Sequence, residues 1–159
     1  MFKFKIMDRT TALSIAGWRY PPPYDFYNPD ENSIEGFVDG LINPAFHYYS
    51  VWNQDDQLIG YCCFGEDARV LGGEYSDGAL DVGGGLRPDL TGQGLGALFL
   101  NSVFEFGTAR FSPERLRTTV AAFNLRAIKV CKKAEYFQSG RFYNTHLEQS
   151  FVILTKTVM

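Results

Sequence analysis

The chain has 159 residues, enough for one domain with its own core and too few for two ordinary ones. Apolar residues make up 45%, with 14 Phe and 9 Tyr, which excludes disorder as a description of the whole. A formal charge of −3 argues against a nucleic-acid partner, which calls for a basic patch, and suits a cationic partner slightly better than an anionic one.

Residues 1–6 alternate apolar and polar, a strand signature. Thr10 or Thr11 is placed to cap a short helix through Ile15 and Trp18, which must stop before Pro21-Pro22-Pro23. Ile34, Phe37, Val38 and Leu41 have helical spacing over 33–42, with Pro44 just beyond. Residues 46–52 and 58–64 read as a hairpin around the polar turn 53–57. Residues 65–78 are polar and glycine-bearing, hence a loop, and 79–86 is the next strand in spite of Gly83-Gly84-Gly85. The segment 95–110 is the strongest helix, with Leu95, Leu98, Phe99, Val103 and Phe106 on one face. A strand over 116–123 leads to Asn124, which caps a helix running to about Lys133. Two last strands are expected, near 136–137 and over 146–158. This order predicts one α/β (α+β) domain over 1–159, a mixed and mostly antiparallel sheet of about seven strands with helices on both faces.

Three cysteines, two of them adjacent (Cys62 and Cys63), match neither a disulfide framework nor metal-ligand spacing, and with two His no metal site is expected. Near the N-terminus Lys3, Lys5, Asp8 and Arg9 interrupt any apolar run, so neither a signal peptide nor a membrane span is expected and the default setting is cytoplasmic.

The chemistry concentrates in 86–97, which joins a strand to an amphipathic helix. Gly92, Gly94 and Gly96 remove side chains on alternate residues where a helix begins and where its first N–H groups lack internal partners. Beside the positive end of the helix dipole, this makes a site for phosphate. A glycine in a helical turn costs about 0.5–1 kcal/mol relative to alanine, so three of them call for a reason. The run lacks the Lys-Ser/Thr ending of a P-loop and the spacing of a dinucleotide fingerprint.

The segment Thr91-Gly92-Gln93-Gly94-Leu95-Gly96 resembles the pyrophosphate-binding motif of the GNAT (Gcn5-related N-acetyltransferase) superfamily, Arg/Gln-x-x-Gly-x-Gly/Ala. Leu86-Arg87-Pro88 resembles the end of that family's fourth strand, and the run from Val120 through Asn124, Ala127 and Ile128 to Lys133 its fifth strand and next helix. The resemblance covers roughly residues 45–145. It implies an N-acetyltransferase that moves the acetyl group of acetyl-CoA, a cosubstrate, to a primary amine by direct attack in a ternary complex. Backbone N–H groups of Gln93, Gly94, Leu95, Gly96 and Ala97 would hold the pyrophosphate, Leu86 would pair with pantetheine, Asn124 would touch the same arm, and the Gly84 N–H would stabilise the oxyanion.

Two departures from the family pattern stand out. Thr91 occupies the position of the usual Arg or Gln, and Cys131 that of a helical Tyr which often protonates the leaving thiolate. Cys131 is therefore a candidate acid and also a candidate small core residue, with Tyr136 and Tyr143 as other sources of a phenol. Asp81 and Glu66 are the candidate bases, although strict alternation turns Asp81 away from the face of Gly84 and Leu86. The aromatic and proline-rich run 18–27 is a candidate acceptor wall, with Asp25, Asp30, Glu31 and Glu35 available to attract a cation. Small-molecule amine and protein N-terminus both stay open as acceptors, as does a homodimer. The competing reading is a non-catalytic acyl-CoA-binding module.

Overall fold

Asp8, not a threonine, starts the first helix. Its carboxylate accepts from the Thr11 N–H at 2.8 Å, which also holds the Asp8 carboxyl below its ordinary range. The threonines sit one turn inside, where Thr11 is buried. A computed structural model describes residues 1–76 and 78–158. Its elements in chain order are β1 (Lys3–Ile6), α1 (Arg9–Ala16), α2 (Ile34–Ile42), β2 (Tyr48–Trp52), β3 (Leu58–Phe64), β4 (Leu80–Leu86), α3 (Leu95–Phe111), β5 (Arg115–Ala121), α4 (Leu125–Lys133), β6 (Phe137–Asn144) and β7 (Gln149–Thr157), with short 3-10 turns between them. The strands form a seven-stranded mixed sheet in the order β1-β2-β3-β4-β5-β7-β6. The fold class is therefore the α/β arrangement expected.

The chain packs as two units, Met1–Cys63 with Gly84–Leu95 and Phe64–Gly83 with Gly96–Met159. In the first, β1 and β2 pair antiparallel from Lys3↔Trp52 to Ile6↔Tyr49, and β2 continues the meander onto β3. Met7, Ala12, Ile15, Ala16, Val38 and Leu41 form a closed core, against which Trp18, Tyr48 and Tyr61 pack. The periodic positions Val38 and Leu41 are 1% and 3% exposed, which contributes about 1.5–3 kcal/mol each.

In the second unit β5 pairs antiparallel with β7 along its whole length, and β7 with β6. The ladder between β4 and β5 is parallel and comprises Leu80↔Leu116 and Asp81↔Arg117. Strand β6 is longer than the two residues the sequence suggested. Its side chains are mostly exposed, so the alternation that marks a strand is weak there, and its partner β7 carries the apolar signal. The buried stripe of α3 is Phe99, Val103, Phe104 and Gly107, while Leu98 of the expected face is exposed. Gly107 lets the Phe64 ring lie against the helix backbone. Among the described residues no helix is long and apolar enough to cross a membrane.

Candidate active site

Three glycines of β4 precede the turn, and the chain itself accounts for two of them. A Cβ at Gly84 would stand 2.7 Å from the Tyr61 carbonyl oxygen, and one at Gly85 2.8 Å from the Tyr61 ring. Strands β3 and β4 approach too closely here for any side chain, and the Tyr61 ring lies across the bare backbone of Gly85. Trp18 and Tyr48 flank that ring, with centroids 6.1 and 6.4 Å away. Burial first, then Cys63 and Tyr27, pushes the Tyr61 phenol up to about 12.

Leu86 closes the strand, and its carbonyl accepts from the Tyr20 phenol at 2.6 Å. Tyr20 is itself fixed by Asn28, whose side chain accepts from the Tyr20 N–H at 2.8 Å and donates to its carbonyl at 3.2 Å. Burial, with Tyr61 second, raises the Tyr20 phenol, which keeps it a donor. A partner of Leu86 therefore meets a carbonyl already engaged from one side. Nothing in the sequence connects Tyr20 to a strand 66 residues later; the only hint is the density of aromatics around the prolines.

The turn after β4 is fastened from within. Arg87 donates from its backbone to the Ile59 carbonyl and from its guanidinium to the Leu58 carbonyl, at 2.8 and 2.7 Å, and pairs with Asp89 at 2.6 Å. The Thr91 hydroxyl donates to the Pro88 carbonyl and the Gln93 amide to the Asp89 carbonyl, both at 2.7 Å. These side chains shape the turn and leave its outer surface to the backbone. Gly92 and Gly94 take positive φ, 74° and 81°, which favours glycine. Gly96 does not, and a Cβ on it would meet nothing within 4 Å. Among the described residues the N–H groups of Gln93, Gly94, Leu95, Gly96 and Ala97 make no turn or loop hydrogen bond, as the start of α3 requires.

The expected proton-handling groups are placed differently. Asp81 is 1% exposed, and both its oxygens are occupied: Arg117 donates through Nε at 2.6 Å to one and Nη2 at 2.7 Å to the other, which Arg69 Nε also reaches at 2.7 Å. Two arginines thus hold the Asp81 carboxylate, an arrangement that favours an anchoring role for it over that of the base. Sequence alternation placed Asp81 on its face but offered no sign of its partner Arg117, 36 residues away. Glu66 is exposed in a short turn after β3. Cys131 is 1% exposed, and burial pushes its thiol up to about 12. Tyr136 packs on Phe104 at 4.8 Å with its hydroxyl buried and without a partner among the described residues, and Tyr143 is exposed on β6. Asn124 accepts from the Ala127 N–H at 3.2 Å, the capping bond its position predicts. Among the described residues no cluster of His, Cys, Asp and Glu has the makings of a metal site.

The sequence profile of the acetyltransferase (GNAT) family matches residues 11–136. No curated protein sequence matches the chain. Solved structures similar to it include mutant forms of the spermidine/spermine N-acetyltransferase SpeG from Vibrio cholerae, at 16% identity and a TM-score of 0.69, covering 99% of this chain and 95% of that one. An acetyltransferase (GNAT family) from Bacillus anthracis is similar at 12% identity and a TM-score of 0.73, covering 98% and 94%. At such identities the likeness is one of fold.

Proposed function

The chain belongs to the acetyltransferase (GNAT) family, and on that premise we propose that it transfers the acetyl group of acetyl-CoA to a primary amine by direct attack in a ternary complex. The observation that carries the reading is Gly96. Neither φ nor packing requires a glycine there, and in a helix it costs about 0.5–1 kcal/mol relative to alanine. A ligand brought against the backbone from outside supplies the missing reason, and the N–H groups around Gly96, at the positive end of α3, suit a pyrophosphate.

The same strand serves the reacting end. The N–H of Gly84 is assigned to the thioester oxygen, a donor of the kind worth about 2.7–4 kcal/mol in acyl transfer. Leu86 pairs with the pantetheine arm through its N–H, since Tyr20 engages its carbonyl. Asn124 touches the same arm while it caps α4. Cys131 is not assigned the acid. Burial pushes its thiol up to about 12, which makes it a poor proton donor to a departing thiolate, and that proton is assigned to solvent. Asp81 anchors the strand, and exposed Glu66 remains the candidate base.

Acetyl-CoA offered with spermidine, diamines, amino acids and short peptides tests this directly. Amine-dependent release of free thiol, with the acetylated amine seen by mass spectrometry, is the expected result. The engagement of Asp81 and Cys131 favours a second reading, an acyl-CoA-binding module without turnover. Calorimetric binding of acetyl-CoA with no thiol release from any amine would establish that reading and end the first.

A further inference from the structure

Tyr61 meets β4 at both of its ends. Its carbonyl oxygen lies 2.7 Å from where a Cβ on Gly84 would stand, and its phenol oxygen 3.0 Å from where one on Gly85 would stand. These glycines, Tyr61 and the flanking rings of Trp18 and Tyr48 all belong to one packing unit. The neighbouring phenol of Tyr20 is spent on the Leu86 carbonyl. That of Tyr61 finds no hydrogen-bond partner among the described residues. Tyr61 is only half-buried, and its hydroxyl, unlike that of Tyr136, is not sealed from solvent. With its phenol pushed up to about 12, the group stays protonated and uncharged at neutral pH. Such an acid is too weak to serve a departing thiolate, but its oxygen keeps two lone pairs with which to accept from an N–H. A nucleophile attacking a thioester held at Gly84 stands about 3–3.5 Å from the carbonyl carbon, and this hydroxyl is an open polar atom beside that glycine and the next.

We propose that Tyr61 is a positioning residue for the acceptor. Its hydroxyl oxygen accepts a hydrogen bond from one N–H of the neutral primary amine and so turns the nitrogen lone pair toward the thioester carbon beside Gly84. The inference rests on the acetyl-transfer reading and adds to it the side chain that orients the nucleophile. Tyr61 stays outside the proton balance. The nitrogen bonds to the acetyl carbon, the carbon–sulfur bond breaks, the spare proton on nitrogen leaves to the base, and the thiolate takes one from solvent.

The test is Tyr61→Phe, which keeps the ring over Gly85 and against Trp18 and Tyr48. Both proteins are assayed with acetyl-CoA and whichever of spermidine, diamines, amino acids and short peptides the wild type acetylates fastest. The variant is expected to lose about 10- to 100-fold in kcat, with the amine KM changed by less than about threefold. Its acetyl-CoA affinity by calorimetry and its unfolding midpoint should match those of the wild type. That split between kcat and KM at unchanged stability is what a purely structural role cannot produce. Wild-type kcat in Tyr61→Phe, or a loss carried by KM alone, overturns the assignment and leaves the transfer reading standing. A fall in acetyl-CoA affinity or midpoint that accounts for the lost activity overturns it as well. A wild type that binds acetyl-CoA and acetylates none of these amines ends the transfer reading and this assignment with it.

Discussion

The glycines of β4 and those of the turn that follows look alike in the sequence and answer to different causes. Gly84 and Gly85 are required by the protein, because Tyr61 fills the space a side chain would need. Among the described residues nothing stands within 4 Å of a Cβ on Gly96, so packing does not call for a glycine there. The first pair lets a strand approach its neighbour; the second group leaves backbone bare toward the outside. Open space matters at Gly96 because it lies beside the bare N–H groups at the start of α3, which Gly40, near the end of α2, does not.

Substitutions separate the two causes. Gly84→Ala is expected to have the largest effect on stability. Its Cβ meets a backbone oxygen at 2.7 Å that cannot rotate away, and overpacking of this kind costs about 1–3 kcal/mol, read from denaturant unfolding. A stability within a few tenths of wild type would break the assignment of Gly84 to internal packing. Gly94→Glu should reduce acetyl-CoA binding by about 100-fold or more, roughly 2.7 kcal/mol by calorimetry, because it sets a carboxylate where phosphate is expected. The left-handed φ of 81° adds strain of about 1–2 kcal/mol to the fold. Gly96→Ala should move the two observables in opposite directions. The helix gains about 0.5–1 kcal/mol while acetyl-CoA affinity falls about tenfold. Unchanged affinity in that variant would remove the main support for the phosphate cradle. Gly40→Ala on α2 sharpens the contrast with the smallest effect. It has equally open space and the same gain in helix propensity, and acetyl-CoA binding should not change.

Much of the fold is legible in the sequence because its causes are local. The spacing of Val38 and Leu41 on α2, the cap at Asn124 and the turn chemistry of 53–57 each depend on residues a few positions apart. Errors arise where two signals compete. Asp8 outbids two threonines as a cap because its carboxylate is one turn before a free N–H, and β6 hides because its outward side chains are polar.

The site divides along the same line. By itself the sequence determined the glycine pattern of the turn, and through it the bare N–H groups at the start of α3, since backbone conformation there follows from the absence of side chains. Only the tertiary structure decided what the side chains do. It tied Tyr20 to Leu86 and Arg117 and Arg69 to Asp81, and it buried Cys131. Those outcomes depend on partners 12 to 66 residues away in the chain and on exclusion from water. No local pattern encodes either one.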